Sequence, residues 1–306
     1  MPADDRAAVA DVADIAQHVG VVTVHYRGVR DLLEMLSGLS GLPVAVVDNA
    51  GELGGLTGLP AGCRVLDSGG NVGFARAANV GAAELDRPAL LFANPDSRPS
   101  PADVAALLAV LDSRPEVAAV APAVLDEHGR ARGGGGRAPS VLSALAAVLG
   151  PLAPRSWRIW TVPDGSPHEV DWLSGACVLV RRSAFVEVGG FDEHYPLYNE
   201  DMALGARLRG AGHRLVLDGR VRVAHPSGGS AEGDPSGLWA ARGGALGHYV
   251  RREVRRGART THALLVVAFA LRTAACVVTG RRAAAREWAT VTRGLVRAEL
   301  PVLADA

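Results

Sequence analysis

The sequence predicts an α/β domain built on a largely parallel sheet. Two observations carry that prediction. Short β-prone apolar runs alternate with longer stretches whose apolar residues recur at helical spacing. Several of those runs also stop at a polar residue, Asp48 and Asn94 among them, where an open α/β sheet presents its carboxyl edge to a ligand.

Residues 1–18 read as a loose or helical tail. Residues 19–24 form a first strand, 31–42 an amphipathic helix, and 44–47 a second strand ending at Asp48. A third strand falls at 64–67, followed by a helix over 74–85 with alanines on its packing face. Residues 89–93 are a strand ending at Asn94. A helix over 101–113 starts just after Pro99-Ser100, with Pro101 in its first turn. A further strand covers 117–120. The Gly- and Arg-rich stretch 129–139 reads as a mobile loop, and 141–152 as an apolar helix or flap. Residues 176–180 are strand-like, 203–210 helical, and 213–223 read as strand, turn, strand. Residues 226–237 read as a flexible linker, and 238–299 as mostly helical.

The chain has 306 residues, 48% hydrophobic and 21% charged, enough for one large domain with an appendage or for two domains. We expect a tail at 1–18, a catalytic unit at 19–230 and a basic, mostly helical region at 231–306. Net charge is zero but uneven. Residues 1–230 hold 20 arginines against 26 acidic residues, and residues 231–306 hold 12 against 6. A basic tail on an acidic body suits an anionic surface such as a membrane, although a solvated helical face has the same composition. Every basic residue counted is arginine, which excludes Schiff-base lysines and a P-loop lysine. Cys63, Cys177 and Cys276 lack metal-ligand spacing and fit a reducing compartment. The acidic start of the chain lacks an apolar signal pattern, so a cytoplasmic protein is expected. The apolar segment 262–280 carries Arg272 near its middle. A central Arg costs roughly 2.5–3.5 kcal/mol on insertion scales, which disfavours a spanning helix. A helix at the membrane interface, flanked by arginines that meet head groups, and a helix packed on the body both remain open.

Five features carry chemistry. Asp48-Asn49 follows a buried strand. Gly69-Gly70-Asn71-Val72-Gly73-Phe74 is a glycine turn running into a helix that carries Arg76 and Asn79. It matches neither a P-loop nor a dinucleotide fingerprint. Asn94-Pro95-Asp96-Ser97 follows a strand and offers a carboxylate to a hard cation. Glu200-Asp201 sits at a helix start, where an anion is stabilised, so the pair is expected to stay ionised near neutral pH. His225 closes the last strand.

In this order, with Trp172-Leu173-Ser174-Gly175-Ala176 and Gly189-Gly190-Phe191-Asp192-Glu193 between them, these motifs resemble the family-2 inverting glycosyltransferases of GT-A fold. The nearest resemblance is to the bacterial rhamnosyltransferase-like branch that builds cell-wall linkers, O-antigens and capsules. The resemblance covers about residues 19–230. It implies a Rossmann-like, mostly parallel sheet with flanking helices and a hexosyltransferase that uses a nucleotide-sugar donor and Mg²⁺ or Mn²⁺. It assigns Asp48 to the nucleobase, and Asn71, Gly73, Arg76 and Asn79 to the nucleotide pocket. Asp96 becomes the metal carboxylate of a degenerate D-x-D motif that begins at Asn94. Trp172 and Gly175 line the sugar and acceptor pocket. Asp201 is the general base, supported by Glu200, and His225 lies by the diphosphate and metal. The implied donor is dTDP-L-rhamnose, with UDP-hexoses open. The implied acceptor is a cell-envelope glycan or a polyprenyl-linked sugar, met at the inner face of the plasma membrane. No nucleic-acid partner is expected. The chain departs from the branch at His25-Tyr26-Arg27, where Tyr-Asn is usual, at Asn199, where an aromatic is usual, and at Asn94, where Asp would add a second carboxylate. A catalytically silent GT-A domain that binds a nucleotide sugar or scaffolds an assembly is the alternative. A nucleotidyltransferase is poorly served by Val24-His25-Tyr26-Arg27-Gly28, which offers no triphosphate loop.

Overall fold

The computed structural model describes residues 12–163, 165–226 and 235–301. The expected tail is therefore described only from α1 (Val12–His18), and most of the expected linker at 226–237 lies outside the described residues. β1 (Val19–His25), α2 (Val29–Gly38), β2 (Val44–Asp48), β3 (Cys63–Asp67), α3 (Phe74–Ala83), β4 (Ala89–Ala93), α4 (Pro101–Ser113) and β5 (Val117–Leu125) follow in the expected alternation. The start of α4 shows why a local signal sufficed there. Ser100 Oγ accepts the Asp103 N–H at 3.2 Å, and Asp103 Oδ2 accepts the Ser100 N–H at 2.9 Å, a reciprocal cap with Pro101 in the first turn.

The second half contributes β6 (Ala131–Arg132), β7 (Gly135–Gly136), α5 (Val141–Leu149), β8 (Pro167–Val170), β9 (Trp172–Leu173), β10 (Cys177–Arg181), α6 (Arg182–Glu187), α7 (Glu200–Gly210) and β11 (Arg214–Ala224). Among the described residues the main sheet has nine strands, in the order β3-β2-β1-β4-β10-β5-β11-β8, with β6 on the far end of β5. The strands from β3 to β4 are parallel, as are β5 and β11; β10 and β8 are antiparallel. The chain passes from β1 to β2 on one side and reaches β4 on the other, which opens a crevice at the carboxyl edge. Because β10 runs backwards, its start meets the end of β4, and the Asn94 N–H donates to the Ala176 carbonyl at 3.0 Å. That reversal brings Ser174 and Gly175 to the carboxyl edge.

Both faces of the sheet are covered. Val19 and Val21 of β1 pack with Leu32, Leu36 and Leu107 on one face, while Val22 and Val24 join Phe92, Phe185 and Leu204 on the other. This is the two-residue alternation of a strand buried on both sides.

The glycine run corrects one expectation. Residues 129–139 are not a loose loop, since β6 pairs with β5 and β7 pairs with β9. Gly134, Gly135 and Gly136 are buried. A Cβ on Gly135 would lie 2.6 Å from the Trp172 carbonyl oxygen, and one on Gly136 would overlap the Ile159 carbonyl. The glycines serve close backbone approach rather than freedom of motion.

Three helices complete the chain: α8 (Ser236–Glu253), α9 (Ala258–Val278) and α10 (Arg282–Arg297). Helix α8 crosses α10 on small residues; a Cβ on Gly243 or on Gly294 would overlap backbone of the facing helix. Their core is shared with the sheet-bearing part of the chain, for Leu246, Tyr249, Leu265, Phe269 and Leu295 cluster with Trp172, Tyr195 and Met202. The Tyr195 hydroxyl donates to Glu253 Oε1 at 3.1 Å. Among the described residues α9 is the one helix long and apolar enough, by length and composition, to cross a membrane. It lies along α5 and buries Leu265, Ala268, Phe269 and Cys276, leaving Val267, Leu271, Val277 and Val278 exposed.

Candidate active site

The acidic pair opens α7. Tyr198 and Asn199, just before it, both hold left-handed backbone, with φ of 66° and 65°. Such a conformation costs a non-glycine residue about 1–2 kcal/mol, and two in succession mark a segment held by its surroundings. Asp201 Oδ1 accepts the Met202 N–H at 2.7 Å, and Oδ2 accepts the Gly175 N–H at 3.3 Å. Glu200 is buried, and its Oε2 has no hydrogen-bond partner.

These surroundings overturn the expectation of a fully ionised pair. Burial raises Glu200 well above the ordinary carboxylate range, and the Asp201 charge adds to the effect. Burial also pushes Asp201 up to about 6, against the opposing pull of the Gly175 and Met202 N–H groups and of Arg242. A helix N-terminus is worth at most ~2 kcal/mol to an anion, whereas full burial can move a carboxyl by ~3–5 pK units. Burial thus works against charge on both carboxyls, and most strongly on Glu200.

A second polar group forms at the ends of β4 and β11. His225 Nε2 lies 3.0 Å from Asp96 Oδ1 and 3.3 Å from Asn94 Nδ2. One ring nitrogen cannot both donate to Asp96 and accept from Asn94, so the trio does not satisfy itself. Among the described residues no three His, Cys, Asp or Glu side chains converge as a complete metal site. Asp96 and His225 offer two ligands, and a cation there would need substrate oxygens to complete it.

Around the ends of β2 and β3 the side chains are largely committed to one another. Asp48 Oδ1 accepts the N–H groups of Ala50, Gly51 and Glu52, and Oδ2 accepts that of Leu53 at 2.7 Å. Its carboxylate thus organises the loop after β2. Asn49 does the bridging instead: it accepts from Ser68 Oγ and the Val72 N–H, and donates to Asn71 Oδ1 at 3.1 Å. Gly73 has φ 84°, and a Cβ there would lie 2.6 Å from the Pro196 carbonyl oxygen, so only glycine lets this turn dock on the loop before the acidic pair. Asn79 is likewise structural. It donates to the Phe191 carbonyl and accepts the Phe191 N–H at 2.8 Å, pinning the Gly-Gly-Phe loop to α3. Arg76 is exposed on α3.

A cavity of about 1030 Å³ joins part of this set. Asn94, Trp172, Gly175, Glu200, Asp201 and His225 all line it. Asp48, Asn71, Gly73, Arg76, Asn79 and Asp96 lie outside its lining. The far wall comes from α5, α8, α9 and α10, through residues such as Val148, Arg242, Leu271, Arg272 and Trp288. Sequence reasoning missed Tyr198 and Arg242, and named Asn49 only as the neighbour of Asp48. It noticed Arg272 only as a charge in an apolar segment.

The pair's pKa values have a consequence for stability. An Asp held at about 6 when folded and near 3.8 when unfolded binds its proton more tightly in the native state, so its contribution falls as pH rises from about 4 through 6. Asp201→Asn removes that penalty. Urea denaturation should show the variant gaining more over wild type at pH 7.5 than at pH 5; an equal difference at both would contradict the shift.

No protein-family model matches the chain. It is 37% identical over 196 residues to the N-acetylglucosaminyl-diphospho-decaprenol L-rhamnosyltransferase of Mycobacterium tuberculosis H37Rv, covering 58% of this chain and 63% of that protein. The chain thus spans somewhat under two thirds of that relative's length. It is 26% identical over 204 residues to the low-salt glycan biosynthesis hexosyltransferase Agl10 of Haloferax volcanii, covering 62% and 61%. It is 54% identical over 46 residues to the rhamnosyltransferase WbbL of Escherichia coli K12, covering 15% and 17%. Among solved structures it resembles the mannosyltransferase PcManGT of Pyrobaculum calidifontis in complex with GDP-Man and Mn²⁺, with a TM-score of 0.56 at 16% identity over 92% of this chain and 85% of that one. The chain has the GT-A fold, and its curated homologues are rhamnosyltransferases and other glycosyltransferases.

Proposed function

We propose that this chain is an inverting glycosyltransferase that moves L-rhamnose from dTDP-L-rhamnose to a hydroxyl of a lipid-linked N-acetylglucosamine. The observation that carries the reading is one cavity with a buried carboxylate poised near pKa 6 on one wall and a strand-end His/Asn pair, with Asp96 behind it, on another. The choice of sugar and acceptor is supported by the rhamnosyltransferase homologues.

Asp201 takes the proton of the acceptor hydroxyl while that oxygen attacks the anomeric carbon. The bond to the diphosphate breaks on the opposite face, and the configuration inverts. A base with pKa near 6 is ionised at neutral pH yet still basic enough to hold the proton in the transition state. Burial disfavours charge on Glu200, which limits repulsion of the Asp201 carboxylate. Asp96 and His225 fit a divalent cation completed by donor phosphate oxygens, since such ions commonly take one or two protein carboxylates plus phosphate. When bound, Mg²⁺ or Mn²⁺ would neutralise charge on the leaving diphosphate. A silent sugar-nucleotide-binding domain would have no use for a strained, buried acidic pair.

The reading extends to organisation and place. Residues 19–230 form the catalytic unit and 231–306 a helical unit that closes the acceptor side, following the tail at 1–18. The protein works in the cytoplasm, peripheral to the inner face of the plasma membrane, with the exposed apolar residues of α5 and α9 toward lipid. Wild type should sediment with anionic vesicles and Leu271→Asp/Val278→Asp should not; equal sedimentation would refute that placement.

Purified protein given lipid-linked N-acetylglucosamine and a panel of dTDP-, UDP- and GDP-sugars should release nucleoside diphosphate from dTDP-L-rhamnose with Mg²⁺ or Mn²⁺ and stop in EDTA. Asp96→Ala should lose most of the metal-dependent rate. Turnover indifferent to EDTA and to Asp96→Ala would remove the metal from the reading. No release from any donor in the presence of acceptor would remove the transferase.

A further inference from the structure

Arg272 is the unexplained charge of the C-terminal helices. It stands in α9, a long apolar helix, yet it is turned inward and lines the cavity that contains Glu200 and Asp201. Its guanidinium lies 5.0 Å from the ring centre of Trp288 and 5.8 Å from that of Phe269. Aromatic faces hold a cation without using its N–H groups, so the donors stay available. Among the described residues no carboxylate lies within 4.0 Å of it and no hydrogen bond engages it; Glu287 lines the same cavity without pairing. Burial lowers its pKa, and no charged neighbour offsets that effect. A half-buried guanidinium placed this way lacks an anion.

The ground beside it is apolar. Gly257, just before α9, abuts Val141 at the start of α5. Val148, Gly150 and Pro151, at the other end of α5, line the same cavity as Leu271 and Ala275 of α9. The two helices therefore run side by side, and beyond the cavity they expose Leu149, Leu152 and Val278. One cavity thus holds a carboxylate and a guanidinium, and the helices that wall it expose apolar residues.

We propose that Arg272 is the subsite for the acceptor's diphosphate. Its planar fork receives the phosphate oxygens of a prenyl-diphosphate-linked sugar. The sugar end of that acceptor reaches Asp201, and its hydrocarbon end leaves over α5 and α9. The inference rests on the lipid-linked-acceptor reading and adds to it the residue that distinguishes such an acceptor from a neutral glycan.

The test is a titration of farnesyl diphosphate into the full chain in EDTA, followed by tryptophan fluorescence and calorimetry, with farnesol as the uncharged control. Wild type should bind the diphosphate. Arg272→Gln should bind it about 10- to 100-fold more weakly, the range for losing hydrogen bonds to a charged group. Arg272→Lys should fall between, and farnesol should bind wild type and Arg272→Gln alike. Equal affinity of wild type and Arg272→Gln for farnesyl diphosphate overturns the proposal, as does absence of binding to wild type or an equal loss for farnesol. Arg272-dependent binding in a protein that turns over no donor leaves the subsite standing and removes only the transferase.

Discussion

A carboxylate pair that water would solvate better is held at the edge of a cavity, and the rest of the molecule is arranged around that constraint. Asp201 keeps its charge because Gly175 and Met202 supply backbone N–H groups and Arg242 supplies a distant positive charge. Burial and then the neighbouring anion both raise the Glu200 carboxyl above the ordinary range. The antiparallel β10 brings Gly175 within reach, Gly73 lets the nucleotide turn dock against the loop that leads to Glu200, and the left-handed Tyr198 and Asn199 set the start of α7. Each is a local departure from ideal geometry, and all converge on one pair of side chains.

The C-terminal helices complete the site rather than hang from it. Their core includes Trp172, Tyr195 and Met202, so residues that flank the acidic pair are buried by chain that comes some fifty residues later or more. The two faces of α9 have separate tasks: Leu265 and Phe269 bind it to the body, while Val277 and Val278 remain outside. The basic excess of residues 231–306 is likewise divided, because Arg272 looks into the cavity while Arg281, Arg282 and Arg286 stay exposed.

Periodicity made the sheet and most helices legible in the sequence. The strand at 89–93 and the helix at 101–113 fall where the apolar pattern and the Ser100-Pro101 start placed them. The glycines at 134–136 misled, since composition alone does not separate a mobile loop from backbones packed without side chains. Residue type was enough to single out Asp96, Asp201 and His225 as candidates, and the structure places Asp201 and His225 on one cavity with Asp96 beside His225. The candidate site was not legible where the task depends on which neighbour takes a hydrogen bond. Asp48 and Asn79 hold loops through hydrogen bonds that residue type does not reveal, and Asn49 joins the loop after β2 to the glycine turn. The ionisation of the acidic pair also escaped the sequence, because the helix terminus was visible there and the depth of burial was not.

The measurement that bears most directly on the role of Asp201 is kcat/KM across pH 4.5–8.5 for wild type and Asp201→Asn, with dTDP-L-rhamnose and the lipid-linked acceptor. Wild type should lose activity on the acid side with a midpoint near 6, where burial holds the Asp201 carboxyl. Asp201→Asn should lie about 10²–10⁴-fold lower, as expected for loss of a general base, and lack that acid limb. A variant with wild-type rate, or one that keeps the same acid limb, would contradict Asp201 as the base.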